Sequence, residues 1–102
     1  MSTWKPITKA ELEALVTEQL KSCSPEQRAI FTLYRKDFYT VPIHRLGTVD
    51  EVFVVAEHPE GIIYYEDVEE GFEIDRLGDD GAIPAQGCNQ YELTHVLHRF
   101  KR

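Results

Sequence analysis

Eight carboxylates stand between Glu66 and Asp80, at Glu66, Asp67, Glu69, Glu70, Glu73, Asp75, Asp79 and Asp80, with Arg76 as the one base among them. One base against eight acids gives this window a formal charge of −7, equal to the net charge of the whole 102-residue chain; the remainder holds ten acids and ten bases. Three kinds of chemistry use carboxylates at such density: general acid–base catalysis, ligation of a hard cation, and steering of a positively charged partner. Acid–base work needs a pocket that separates the pKa values of a pair, whereas these acids fall in turns and along one strand. "DRLGDDG" lacks the D-x-D-x-D-G spacing and the closing Glu of a calcium loop. Steering needs only exposure. Glu69 and Glu70 occupy a turn, and Glu73 and Asp75 alternate with Phe72 and Ile74, which puts both acids on one strand face. A plainly solvated face competes with a contact surface here, but like charges side by side repel and are normally interspersed with bases.

Other reactive side chains are scattered. His44 and His58 lie in separate segments, and His95 and His98 are three apart near the C-terminal "HRFKR". Helical zinc pairs favour a spacing of four and need a third ligand, so a basic helix end complementing the dipole accounts better for this pair. Cys88 precedes a helix start whose positive end lowers thiol pKa, yet packing on Leu93 explains it as well. No CxxC, GxSxG, phosphate loop or HExxH is present, and neither metal nor cofactor is expected.

The elements that would position these groups follow from caps and periodicity. Thr8 with Glu11, Ser24 with Gln27, and Asn89 with Glu92 have the spacing of reciprocal N-terminal caps, and Pro25 suits a first helical position. Helices are expected over about 9–22, 25–37 and 90–100. Their apolar stripes are Leu12, Leu15, Val16 with Gln19; Ile30, Phe31, Tyr34 with Phe38; and Leu93, Val96, Leu97 with Phe100. Ile7 can pack back on Leu12. "VFVVA" at Val52–Ala56 and "GIIYYED" at Gly61–Asp67 are β-branched and aromatic, hence strands. Gly61, Gly71 and Gly81 each follow an acid, which predicts hairpin turns closed by a glycine of positive φ. "TVPIHRL" at Thr40–Leu46 holds Pro42 and is expected at a sheet edge.

The expected fold is α+β in a single compact domain over 1–102: two N-terminal helices, a four-stranded antiparallel meander with a short fifth strand allowed near Ala82–Ala85, and a C-terminal helix packed on the sheet. Both faces of the central hairpin are apolar, with Phe53, Val55, Ile63 and Tyr65 alternating with Val54, Ala56, Ile62 and Tyr64. Either all helices cover one side and leave the other as a contact face, or the third helix crosses over.

Length, acidity and aromatic content are those of a small non-enzymatic binding protein. Its expected surface is Tyr64, Tyr65, Glu66, Asp67, Glu69, Glu70, Glu73 and Asp75, and its expected partner is a basic protein, as for an immunity protein or similar inhibitor. Two other readings are a small enzyme or ligand-binding domain with a pocket between sheet and third helix, where Tyr64, His95 and Cys88 would meet, and a homodimer joined through the exposed sheet face or the Pro42 edge. A pI near 5.0 argues against duplex DNA and anionic membranes. "MSTWKPITKAE" lacks the apolar run of an export signal, so a cytoplasmic location with reduced thiols is expected. Mass measurement after alkylation without reductant should therefore find both Cys23 and Cys88 modified; an internal disulfide would overturn the reducing-compartment expectation.

Overall fold

A computed structural model of the chain describes residues 6–45, 47–68, 70–84 and 91–98. Three helices and four strands follow one another as α1 (Lys9–Leu20), α2 (Pro25–Tyr34), β1 (Arg35–Arg45), β2 (Thr48–His58), β3 (Gly61–Glu66), β4 (Gly71–Asp75) and α3 (Leu93–His98). The sheet is antiparallel throughout, in the order β1-β2-β3-β4. The architecture is the expected α+β arrangement, with α3 packed against the sheet.

The first two caps form as their spacing predicts. Thr8 accepts from the Glu11 N–H while Glu11 accepts from that of Thr8, and Ser24 and Gln27 repeat the exchange with Pro25 in the first turn. Asn89, the third expected cap, lies outside the described residues. Helix α2 ends at Tyr34, three residues before the expected boundary, because Arg35 turns to an extended conformation (φ −58°, ψ 138°) and enters β1 with no connecting loop. Phe38 had fitted the helical stripe. It is instead a strand residue beside a register shift between Arg35 and Tyr39, and it still reaches the core of Phe31. The Arg35 guanidinium lies 5.5 Å from the Phe31 ring and 5.4 Å from the Phe38 ring, covering the joint between helix and strand.

The sheet buries side chains on both faces. Ile63 and Tyr65 of β3 join Leu12, Val16, Phe31, Leu93, Val96 and Leu97 in a core beneath all three helices. Ile62 and Tyr64 join Val41, Ile43, Val52 and Val54 in a second cluster on the other face. A register shift between Val54 and Ala56 lets Val55 and Ala56 both enter the helix-side core. Neither expected arrangement of the faces holds: the helices share one side, and the other is covered by the chain itself. After β4 the chain reaches Ile83, fully buried in the second cluster. The Ile83 N–H donates to Pro42 O at 2.8 Å and the His44 N–H donates to Ile83 O at 2.9 Å, a single parallel bridge where a fifth strand was allowed. Pro42 O faces that bridge, so the nitrogen of Pro42 also points away from β2 and no ladder bond is lost.

Helix α3 has six residues and would not stand alone. Leu93, Val96 and Leu97 are essentially fully buried, worth roughly 1.5–3 kcal/mol each. Glutamines of the first two helices fix its start. The Leu93 N–H donates to Gln19 Oε1 at 2.6 Å, Gln27 Nε2 donates to Thr94 O at 3.0 Å, and the Thr94 hydroxyl donates to Gln27 Oε1 at 3.0 Å. Gln27 thus caps α2 and clamps α3 with one side chain.

The glycine reading needs one correction. In the β3–β4 turn the left-handed residue is Glu70, at φ 57°, rather than Gly71. Gly61 behaves as expected: its φ is 153°, and a Cβ there would meet Asp75 O at 2.7 Å across the β3–β4 pair. Gly61→Val should therefore lower stability by at least about 2 kcal/mol in urea unfolding. Glu70→Gly should raise it by up to about 1 kcal/mol, because the left-handed penalty disappears. Equal midpoints for the two variants would show the turn geometry to be otherwise.

Candidate functional site

Burial separates the expected contact residues. Tyr64 is 2% and Tyr65 7% exposed, and the two lie in different clusters on opposite faces of the sheet. Glu66, Asp67 and Glu73 are buried at 6%, 9% and 5% exposure. Asp75 is half-buried and accepts the Arg76 N–H at 2.7 Å, Glu70 is exposed, and Glu69 lies outside the described residues. The sequence window is acidic, yet it does not form one exposed acidic stripe.

Arg45, at the end of β1, explains where part of that charge goes. Its guanidinium bonds Glu66 Oε1, reaches Asp50 Oδ2 at 2.5 Å and lies 3.7 Å from Asp67 Oδ1. Glu66 Oε1 also accepts the Val68 N–H at 3.1 Å, and Asp67 Oδ2 accepts the Ile7 N–H at 3.3 Å. Burial works against the Arg45 charge, but its bonds to Asp50 and Glu66 outweigh that effect and its pKa is raised. The cluster ties the β1–β2 hairpin, the β3–β4 turn and the segment before α1 together at one end of the sheet. Arg45 was missed, although the signal was present: it stands two and four residues after Ile43 and Val41, in phase with residues that face the core, and a base in that phase requires a buried acid.

Beside this cluster a groove of about 360 Å³ opens. Its floor continues a row that crosses the whole sheet. Thr40 pairs with Phe53, Phe53 with Tyr65, and Tyr65 with Phe72, whose N–H donates to Tyr91 O. The Tyr65 and Phe72 ring centroids are 4.9 Å apart. Exposure rises along the row from Phe72, fully buried, through Tyr65 and half-buried Phe53 to exposed Thr40. Ile7 and Val52 add apolar wall, and Arg45, Asp50, Glu51 and Asp67 complete the lining with charged groups. Val49, 59% exposed near the start of β2, and Val68, 46% exposed in the β3–β4 turn, stand at the same end of the sheet.

His44, His58 and His95 have structural partners. His44 Nε2 lies 2.8 Å from Asp80 Oδ2, holding the segment that carries Ile83 and keeping the Asp80 carboxyl below its ordinary range. His58 Nδ1 accepts the Glu60 N–H, and His95 Nδ1 accepts the Glu92 N–H. Tyr64 lies in the cluster away from the helices and His95 is exposed on α3, so the pairing of Tyr64 with His95 expected for an enzyme pocket does not form; Cys88 lies outside the described residues. The interface between α3 and the sheet is filled by Leu93, Val96, Leu97 and Phe72. Cys23 is a free, buried thiol whose pKa burial raises, the opposite of an activated nucleophile. Among the described residues no group of three metal-ligating side chains converges.

Removing Arg45 leaves three carboxylates facing one another. Arg45→Met should cost about 3 kcal/mol, the lower end for a broken buried pair because the side chain keeps 19% exposure. Adding Glu66→Gln should recover part of that loss in a double-mutant cycle. Purely additive losses would show that the two side chains are not coupled. Comparison of the chain with protein-family models, with curated proteins and with solved structures finds no match.

Proposed function

We propose that this is a small acidic binding protein of the cytoplasm that engages a basic protein partner through the end of the sheet where the β1–β2 hairpin and the β3–β4 turn meet. The observation that carries this reading is the groove itself, with its aromatic floor and excess of acids in its lining, at the end of the sheet that also exposes Val49 and Val68. A contact face of this kind combines apolar area for affinity with charge for steering and partner choice. The surface differs from the one expected along the strands, because Tyr64, Tyr65, Glu66, Asp67 and Glu73 are buried, while Val49, Asp50, Glu51, Val68 and Glu70 are exposed. Inhibition of a basic enzyme, as by an immunity protein, is one use of such a face. The free Cys23 fits a reducing compartment.

The enzyme reading has no converging acid, base and nucleophile behind it among the described residues. The homodimer reading relied on an open sheet face or on the Pro42 edge; Ile83 packs in the cluster on that face and bridges β1 beside Pro42, which disfavours both routes.

The test is kinetic. A partner captured from the native cytoplasm at low salt should be basic and should associate rapidly with the purified protein. Combined Glu51→Gln and Glu70→Gln should slow association about tenfold at low salt and flatten its salt dependence, with the thermal midpoint unchanged or higher. Val49→Asn should act on dissociation instead. A partner of acidic or neutral charge, or rates indifferent to all three changes, would remove the reading.

A further inference from the structure

We infer that the groove receives one arginine side chain of the partner, its stem on Phe53 and Tyr65 and its guanidinium at Glu51. This rests on the reading of this end as the binding face and specifies what enters it. The floor offers aromatic surface that is partly uncovered, which suits the apolar stem and flat head of arginine. The rim carries Asp50, Glu51 and Asp67 against Arg45, a formal excess of two negative charges. Asp50 is bonded to Arg45 and Asp67 to the Ile7 N–H, whereas Glu51 is exposed and makes no ion pair among the described residues. An incoming cation therefore has one carboxylate ready and two behind it that are already anchored. Anchored acids cost little to reorganise when the cation arrives.

Two of the chain's own arginines each show one half of this arrangement, Arg45 within the groove's own lining. Arg35 lies over two aromatic rings, and Arg45 is forked between carboxylates. The groove offers both surfaces together, on a cross-strand row whose inner members, Tyr65 and Phe72, are locked by packing. A neutral apolar side chain would leave the rim charge unanswered, and an acidic one would be repelled by it. Lysine would answer the charge but stack less well, since its ammonium is compact and strongly hydrated.

Four capped pentapeptides of glycine with a central arginine, lysine, citrulline or norleucine test this by NMR titration of the full chain. The arginine peptide should shift the amides of Glu51, Phe53 and Tyr65 along saturable curves in the millimolar range, with lysine weaker and citrulline, which keeps the shape without the charge, at least tenfold weaker. Glu51→Gln should weaken arginine binding several-fold, as should Phe53→Leu, the first being a near-isosteric change at an exposed side chain that leaves the fold intact. Equal binding of citrulline and arginine, non-saturating shifts spread over the acidic surface, or indifference to Glu51→Gln would overturn the assignment. So would a gain of tenfold or more on deleting residues 2–5, which would make the chain's own N-terminal segment the occupant. If the partner still binds with salt-sensitive kinetics while the arginine peptide fails, this inference falls and the broader binding function stands; loss of both removes the face altogether.

Discussion

A four-stranded sheet with apolar side chains on both faces has to be covered twice, and three short helices cover it once. The described segment between β4 and Ile83 answers that requirement. The chain does not return directly to the helical side from Asp75; it goes to the outer edge of β1, where Ile83 enters the second cluster and bridges the strand. Tyr91 then closes the opposite edge on Phe72. One device thus fills a face and blunts an edge that would otherwise offer unpaired backbone groups to another chain. The His44–Asp80 contact and the left-handed Gly81 belong to the same passage, since they bring Ala82 and Ile83 down onto the strand.

The charge distribution follows from the same packing. Burying Glu66 and Asp67 near the end of the sheet is costly unless a cation comes with them, and Arg45 supplies it from two strands away. The gain from such a cluster is not measured by its Coulomb energy, because desolvation offsets much of it. What it does provide is geometric: β1, the β3–β4 turn and Ile7 can meet in only one arrangement if Arg45 is to be satisfied. That arrangement also shapes the groove, whose walls are the groups the cluster ties together.

Local signals in the sequence were informative where the physics is local. The Thr8–Glu11 and Ser24–Gln27 caps, the β-branched runs and the edge position of Pro42 all depend on neighbours within a few residues or on one strand's own geometry. The end of α2 was obscured because Phe38 lies four residues after Tyr34 and so satisfies helical periodicity, while its burial is equally served by a strand. The fate of the acids was obscured for a different reason. Counting charge within residues 66–80 treats a window as a surface, yet Arg45 lies 21 residues from Glu66 and neutralises it through the sheet. Tyr64 and Tyr65 invited an interface role by their type; period-two alternation sends one to each core, and only the covering of the second face decides that both are buried.

Why the exposed chemistry collects at one end is a matter of where the helices stop. Helix α3 lies over β4, and the cross-strand row from Phe72 to Thr40 is progressively uncovered as it moves away from that helix toward β1. The β1–β2 hairpin also reaches past the end of β3, because Phe53 is already opposite Tyr65 while β2 begins at Thr48. An aromatic floor without a helical roof, next to a hairpin that projects with acids at Asp50 and Glu51, is therefore a consequence of unequal element lengths. A groove made this way stands on rigid strands yet opens to solvent, which is the setting that the proposed capture of a partner's side chain requires.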